Sequence, residues 1–366
     1  MNFNIKRDTL LKPLQAICGV VERRQSLPIL SHVLLVIDDN TLSMTATDLE
    51  VEMIVRIDMP DATPGEVTLP ARKFLDICRA LPEDTDINLS IERERATLRA
   101  GKSRFTLATL PASEFPSVDP IQNGITLEIP QNQLKLLIDR TNFAMAQQDV
   151  RYYLNGLMLE LTASRIRAVA TDGHRLSMCE LELEHEGIED TQVIIPRKGV
   201  MELVKLLADS DEPVKLTVGT NHIKVDLANE IFTSKLIDGR FPDYQRVLPK
   251  GGDKVVTGDC KAIIQALSRA SILSNEKYRG IRLNLDKDVI RIYANNPEQE
   301  EAEEEVEVSY QGDDLEIGFN ANYILDALNA IVDDQVKIIF TDANSSCLIQ
   351  DANNDACKYV VMPMRL

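Results

Sequence analysis

The feature that most constrains this chain is a long internal repeat. Thr47-Asp48, Thr171-Asp172 and Asn295-Asn296 recur at intervals of 124 residues, each at the end of a strand-like run (residues 42–46, 166–170 and 289–294). Each is followed by an apolar stretch that turns into a helix: Val67-Thr-Leu-Pro-Ala-Arg-Lys-Phe-Leu, Val193-Ile-Ile-Pro-Arg-Lys-Gly-Val-Met and Ile317-Gly-Phe-Asn-Ala-Asn-Tyr-Ile-Leu. Phe115-Pro116 and Phe241-Pro242 close the first two copies. Solenoid repeats run to roughly 20–50 residues, so copies of this length are domains. The expected partition of the 366 residues is 1–124, 125–248 and 249–366. Three like domains in series point to a scaffold before they point to a catalyst.

Each copy reads as helix, strands, helix, strands. Residues 9–21 place Leu10, Leu11, Leu14, Ile17, Val20 and Val21 on one helical face, with Asp8 as N-cap and Pro13 tolerable only near the first turn. Residues 131–146 and 259–273 are the equivalents, and second helices are expected over 72–80, 197–207 and 320–331. Between helices the period falls to two, as in residues 96–100 and 103–110, which is the pattern of half-buried strands. The fold class is therefore α+β with antiparallel sheets, and each domain is itself a doubled helix-plus-sheet unit. No apolar run reaches the roughly 18 residues of a membrane span, and the N-terminus lacks the apolar stretch of a signal peptide. A cytoplasmic protein without a membrane partner is the expectation. The six cysteines at 18, 78, 179, 260, 347 and 357 form no CxxC pair and are expected as isolated core thiols.

Forty basic against 58 acidic residues give a net charge of −18, which taken alone argues against a nucleic-acid partner. The distribution says otherwise. Helix 72–80 carries Arg72, Lys73 and Arg79 against Asp76, and helix 197–207 carries Arg197, Lys198 and Lys205 against Glu202. Arg23 and Arg24 follow the first helix, and residues 259–279 add Lys261, Arg269, Lys277 and Arg279. Acid gathers in loops and strands, most densely at 298–307 with seven acidic residues in ten. The expected result is a basic helical surface inside an acidic shell. Arg93, Arg95, Arg99, Lys102 and Arg104 in the first domain complement the 298–307 run in the third, which suggests head-to-tail pairing of subunits.

Catalytic signatures fail on inspection. Gly101-Lys102-Ser103 resembles the end of a phosphate loop, but Ala96 stands where the first glycine is required. His174 beside Asp172 could serve acid–base chemistry, yet Asp172-Gly173 is explained by a turn between strands. The acidic run lacks calcium-loop spacing. The C-terminal Met362, Pro363, Met364 and Leu366 look like an adaptable docking surface.

Several segments together closely resemble the bacterial DNA polymerase III beta sliding clamps. They are Leu69-Pro-Ala-Arg-Lys-Phe, Gln148-Asp-Val-Arg-Tyr-Tyr-Leu-Asn-Gly, Thr171-Asp-Gly-His-Arg-Leu, Asp238-Gly-Arg-Phe-Pro-Asp-Tyr, Ile272-Leu-Ser-Asn-Glu-Lys, Asn295-Asn-Pro-Glu-Gln-Glu-Glu and Val360-Val-Met-Pro-Met-Arg-Leu. The resemblance spans essentially the whole chain. It implies a head-to-tail homodimeric ring, helices inside and sheets outside, that threads double-stranded DNA without reading sequence. It implies DNA contacts at Arg24, Arg72, Lys73, Gln148, Tyr152, Tyr153, Arg197 and Lys198. It implies one pocket for short, partly apolar peptides of polymerase subunits, the clamp loader and repair factors. That pocket is expected at Leu154, Thr171, Gly173, His174, Arg175, Leu176, Pro242, Arg246, Val247, Ser346, Val360, Met362, Pro363, Met364 and Arg365, with Asn320 and Tyr323 nearby. Asn344 stands where relatives can carry an apolar residue. The implied subunit interface brings Lys73, Ile77, Arg95, Lys102, Arg104, Phe105 and Leu107 against Ile272, Leu273, Glu298, Glu300, Glu301, Glu303 and Glu304. No catalysis, cofactor or metal is expected. The rival readings are a metal-dependent nuclease or phosphoesterase using the acidic segments, and a monomeric peptide-binding adaptor.

Overall fold

A strand buries alternate side chains, and an antiparallel pair needs only a short turn between its members. The computed structural model describes residues 1–21, 27–92, 94–118, 121, 124–183 and 189–365. Among them, 24 strands and six α-helices divide into two compact units. The helices are α1 (Arg7–Val20), α2 (Ala71–Ala80), α3 (Gln131–Asp139), α4 (Arg197–Leu206), α5 (Cys260–Ala270) and α6 (Ala321–Asn329). No helix is long and apolar enough to cross a membrane among the described residues.

The first unit comprises Met1–Leu134 and Lys198–Leu236. Its larger sheet runs Gly65–Pro70, His32–Asp38, Thr41–Thr47, Val51–Asp58, Glu230–Lys235, His222–Asp226, Pro213–Val218, Ile125–Pro130, all antiparallel. The first four of these strands precede residue 60 or abut α2, and the last four come from the second sequence repeat. They join where Ile54, Met53 and Glu52 face Ile231, Phe232 and Thr233. A four-stranded sheet, Asn2–Lys6, Asp86–Glu92, Arg95–Ala100 and Ser103–Ala108, ends at an unpaired edge on Ser103–Ala108.

The second unit, Lys135–Arg197 with Ile237–Leu366, repeats this plan. Its larger sheet runs Thr191–Pro196, Gly156–Thr162, Arg165–Thr171, Arg175–Glu182, Cys357–Val361, Cys347–Asp351, Gln335–Phe340, Lys254–Asp259. The join again pairs two strands far apart in sequence, with Leu176 opposite Val360. Its four-stranded sheet, Glu301–Glu307, Val289–Asn295, Gly280–Asp286 and Leu315–Asn320, ends at an unpaired edge on Glu301–Glu307.

Helices cover one face of each sheet. Leu10, Leu14 and Ile17 of α1 and Phe74 of α2 are fully buried with Val33, Leu35, Leu42 and Met44 of the strands. Burying each such side chain stabilises the fold by about 1.5–3 kcal/mol. In the second unit Phe319 and Phe340 meet at 6.3 Å, both buried. Asp259 caps α5 by accepting from the Ala262 N–H at 2.7 Å, and Asn320 caps α6 by accepting from Asn322 at 2.9 Å.

Several expected element boundaries are corrected. Asp8 does not cap α1, which starts at Arg7; its carboxylate instead pairs with Arg7 at 2.6 Å and accepts from the Asp84 N–H at 2.8 Å. Pro13 therefore lies in the second turn of α1, where it leaves the Thr9 carbonyl without its helical donor. The helix expected over 131–146 stops at Asp139, because the Thr141 hydroxyl turns back to donate to the Leu137 carbonyl and a 3-10 turn, Asn142–Ala144, follows. The helix expected to run to 273 stops at Ala270 and tightens into the 3-10 turn Ser271–Leu273. The cysteines are corrected too. Cys179 and Cys357, 178 residues apart, sit opposite each other across the second unit's join and form a disulfide. Cys18, Cys78, Cys260 and Cys347 are buried thiols, and burial pushes Cys78 and Cys347 up to about 12, so they stay unreactive near neutral pH.

Truncation of Phe340 to alanine would leave a cavity between two sheets and should cost about 3–5 kcal/mol. The chain has no tryptophan, so urea unfolding followed by far-UV circular dichroism is the direct check.

Candidate functional site

Two sequence features build one pocket in the second unit. The first is the turn after strand Arg165–Thr171. Asp172 accepts from the backbone N–H groups of His174 and Arg175 at 2.8 and 3.0 Å, while the Thr171 hydroxyl donates to the Arg175 carbonyl at 2.6 Å. Gly173 takes φ +89°, and a β-carbon there would come within 3.0 Å of the Arg151 guanidinium. Glycine is required on both counts. The second feature is the C-terminal strand, which pairs Val360 with Leu176 and continues as Met362 N–H donating to the His174 carbonyl at 2.9 Å. Between them opens a cavity of about 170 Å³, lined by Leu154, Thr171, Gly173, His174, Arg175, Leu176, Pro242, Val247, Val360 and Met362, together with Arg151, Tyr153 and Tyr244.

The floor is apolar and rigid. Leu176, Tyr244 and Val360 belong to a buried cluster with Met158, Val169, Met178, Ile194 and Phe241. Behind Tyr244 lies a buried polar network: Arg167 donates to the Tyr244 hydroxyl and to Glu160 and Glu180, and the Tyr244 hydroxyl donates to Glu160 at 3.1 Å. Burial pushes the Tyr244 phenol up. Arg175 forms the rim. It pairs with Asp172 and Asp326, donates to the Phe143 carbonyl at 2.8 Å, and stacks over the Tyr323 ring at 4.6 Å. His174 stacks on the same tyrosine. Met362 is 43% exposed, so an unbranched, adaptable side chain stands free at the mouth. A small apolar recess with donors fixed around its rim suits one or two apolar side chains on an extended segment.

Most of the expected pocket residues line this cavity. Arg246, Asn320, Tyr323, Ser346, Pro363, Met364 and Arg365 do not. Asn320 is occupied as the α6 cap, Tyr323 supports His174 and Arg175 from behind, and Arg246 points to solvent beside Asp243. Sequence reasoning missed Arg151 and Tyr244 as lining residues; the aromatic after Phe241-Pro242 was the available signal for the latter.

The expected DNA-contacting residues fall in both units. In the first, Arg72 and Lys73 are exposed on α2, and Lys198 on α4 is ion-paired with Asp48. In the second, Gln148 and Tyr152 are exposed on the loop before strand Gly156–Thr162, Tyr153 is half-buried in the pocket wall, and Arg197 donates to the Met145 carbonyl. Arg24 lies outside the described residues.

Some of the expected interface residues lie on the two unpaired edges and the others on separate elements of the same units. In the first unit Lys102 and Arg104 are exposed and Phe105 half-buried on or beside Ser103–Ala108; Leu107 is buried, with Lys73 and Ile77 on α2 and Arg95 on the next strand. In the second unit Ile272 is 72% exposed, and Leu273, Glu298, Glu300, Glu301 and Glu303 are at least partly exposed around Glu301–Glu307. Glu304 is already bound within the chain: Arg269 holds it with two hydrogen bonds, and that pairing lowers its carboxyl below the usual range.

Asp149, which positions Arg151 through side-chain and backbone hydrogen bonds, is depressed from 3.8 to about 2 by them. A carboxylate lowered in the folded state favours that state above its ordinary value and loses the contribution as pH falls toward 2. Carboxyl NMR of Asp149 should show a midpoint near 2, returning toward 3.8 in Arg151→Met. An unshifted midpoint in the native chain would contradict the geometry.

Comparison with known proteins gives a consistent picture. Family models for the N-terminal, central and C-terminal domains of the DNA polymerase III beta subunit match residues 1–119, 128–243 and 245–365. The chain is 56% identical to the beta sliding clamp of Pseudomonas aeruginosa and 50% identical to that of Escherichia coli K12, with full coverage of both chains in each case. A crystal structure of the Pseudomonas aeruginosa DNA polymerase III subunit beta superposes with a TM-score of 0.97 at 55% identity, again over the whole of both chains. A structure of a Pseudomonas aeruginosa sliding clamp bound to griselimycin is equally similar, at 0.97 and 56%.

Proposed function

The chain belongs to the DNA polymerase III beta subunit family, the beta sliding clamps, and on that premise we propose that two copies close head to tail into a ring around duplex DNA. It is a DNA sliding clamp for the replicative polymerase. The proposed domains are 1–124, 125–248 and 249–366, and the proposed working form is a cytoplasmic homodimer that tethers its partners without catalysing a reaction.

One observation carries the ring. Strands Val51–Asp58 and Arg175–Glu182 occupy the same place in successive repeats, and so do Glu230–Lys235 and Cys357–Val361. Val51–Asp58 pairs with Glu230–Lys235 and Arg175–Glu182 pairs with Cys357–Val361, and each of these pairings fuses two four-stranded sheets into one of eight. The remaining members of the two series are Glu301–Glu307 and Ser103–Ala108, the unpaired edges. Pairing these between copies makes a third seam of the same kind, and a heterologous contact repeated this way closes if its rotation is right. The acidic edge meets the basic one, with Glu298, Glu300, Glu301 and Glu303 opposite Arg95, Lys102 and Arg104. Exposed ion pairs contribute about 0.2–1 kcal/mol each, so Ile77, Phe105, Ile272 and Leu273 supply most of the energy, Leu107, already buried within the chain, adds little, and the charges set register.

Within the ring, Arg24, Arg72, Lys73, Gln148, Tyr152, Tyr153, Arg197 and Lys198 attract phosphates without reading bases, and the net charge of −18 discourages DNA elsewhere. Topology, not affinity, then retains the protein. The pocket of the second unit docks short peptides of polymerase subunits, the clamp loader and repair factors, raising their effective concentration at the primer end. Arg246, Asn320, Tyr323, Ser346, Pro363, Met364 and Arg365 act at its margin, where a bound peptide extends beyond the cavity.

Ile272→Ala with Leu273→Ala should halve the mass found by light scattering at micromolar concentration; an unchanged dimer mass would refute this interface. On a primed single-stranded circle with polymerase and clamp loader, the native chain should lengthen the product of a single binding event at least tenfold. Arg175→Ala with Met362→Ala should abolish that gain while leaving the dimer intact. Product lengths equal with and without the native chain would contradict the tethering reading.

A further inference from the structure

The seam of the first unit carries a second pocket in the position that the docking pocket occupies in the second unit. Register makes the equivalence explicit. In the second unit one row across the outer face reads Leu176, Val360, Leu348, Ile339. In the first unit the same row reads Glu52, Thr233, Lys224, Thr217. Val118 follows Phe115-Pro116 as Tyr244 follows Phe241-Pro242. Glu52, Ile54, Val118, Ile231, Thr233 and Lys224 are among the residues lining a cavity of about 430 Å³, against about 170 Å³ for the docking pocket.

The same architecture thus holds a different chemistry. Glu52 is 91% buried by its 9% exposure, with the Val118 backbone beside its carboxyl. No cation pairs with it among the described residues. Lys224, on the strand next to Thr233, is held at 2.7 Å by Asp226 of the same strand, and Lys215 also lines the cavity. Desolvation raises the Glu52 carboxyl, as expected for a buried acid without a counter-charge. A buried carboxylate with at most one backbone donor has unused acceptor capacity. Thr233, directly opposite in register, adds a hydroxyl acceptor, while Ile54, Val118 and Ile231 supply apolar wall.

We propose that this seam is a second ligand site, taking an arginine side chain presented by a peptide, with the guanidinium on Glu52 and Thr233 and the aliphatic stem against Ile54, Val118 and Ile231. Arginine fits better than lysine because its planar fork donates to two acceptors at once and is less strongly hydrated. Lys215 limits the ligand to a single positive charge. The equivalence of position rests on the docking reading of the second unit; the environment of Glu52 does not.

The test uses the full dimeric chain with labelled isoleucine, leucine and valine methyl groups, and two probes. Acetyl-Gly-Arg-Gly-amide should shift the methyls of Ile54, Val118 and Ile231 saturably and leave Leu176 and Val360 unmoved. Glu52→Gln, which keeps the side-chain shape, should weaken binding at least tenfold. Thr233→Val, which keeps the charge, should weaken it about twofold to fourfold. The citrulline analogue of the peptide should not bind. An absence of saturable shifts, equal binding of the citrulline peptide, or undiminished binding to Glu52→Gln overturns the proposal. A Leu-Phe peptide added to the same sample reports on the docking pocket through Leu176 and Val360. Its failure would overturn that reading and leave the arginine result standing on its own.

Discussion

The structure depends on how a β-sheet edge is satisfied. An edge strand presents a row of backbone donors and acceptors that must be paired or protected. In the proposed ring that pairing is the means of assembly. Two strand series, one from each half of the repeated unit, meet antiparallel at two seams within the chain, and each seam extends the sheet from four strands to eight. The strands left over carry opposite charge, acidic on Glu301–Glu307 and basic around Ser103–Ala108. The proposed ring follows from applying the internal rule once more between copies. In that proposal hydrophobic contacts hold the third seam, and charge prevents each edge from pairing with itself.

The seams also generate the sites. Where two edge strands meet, their outward side chains form a row, and the segment linking the domains lies across it. In the second unit the row is Leu176 and Val360, joined by Pro242 and Tyr244, and the recess suits apolar side chains. In the first unit it is Glu52 and Thr233, and the recess is polar. The two seams share their strand order and register but differ in side chains, so the repeat supplies the plan and local sequence supplies the chemistry. The buried network of Arg167, Glu160, Glu180 and Tyr244 keeps the apolar floor in place, since any one of these groups left unpaired would carry a large desolvation cost.

Much of this was legible in the sequence, for identifiable reasons. The alternating strands, the α+β class and the 124-residue period follow from side-chain periodicity, and the Thr171-Asp172-Gly173 turn follows from local hydrogen-bonding chemistry. Helix ends were less legible. The stop at Asp139 depends on Thr141 bonding back to Leu137, a competition between side chain and backbone that periodicity does not register. Long-range register was not legible at all. The opposition of Cys179 and Cys357, the partnership of Lys198 with Asp48, and the use of Glu304 by Arg269 arise only once strands far apart in sequence are aligned. Resemblance to a known family named ten of the residues that line the cavity, while Arg151, Tyr153 and Tyr244 entered its wall only through the fold.

The central claim is that the chain stays on DNA by enclosing it. The most direct measurement loads labelled protein onto nicked circular DNA with a clamp loader and ATP, linearises half the sample, and compares what remains bound. Retention on circles with loss from linear ends is the predicted result. Equal retention on both would mean ordinary binding by the basic residues, and the ring would be contradicted.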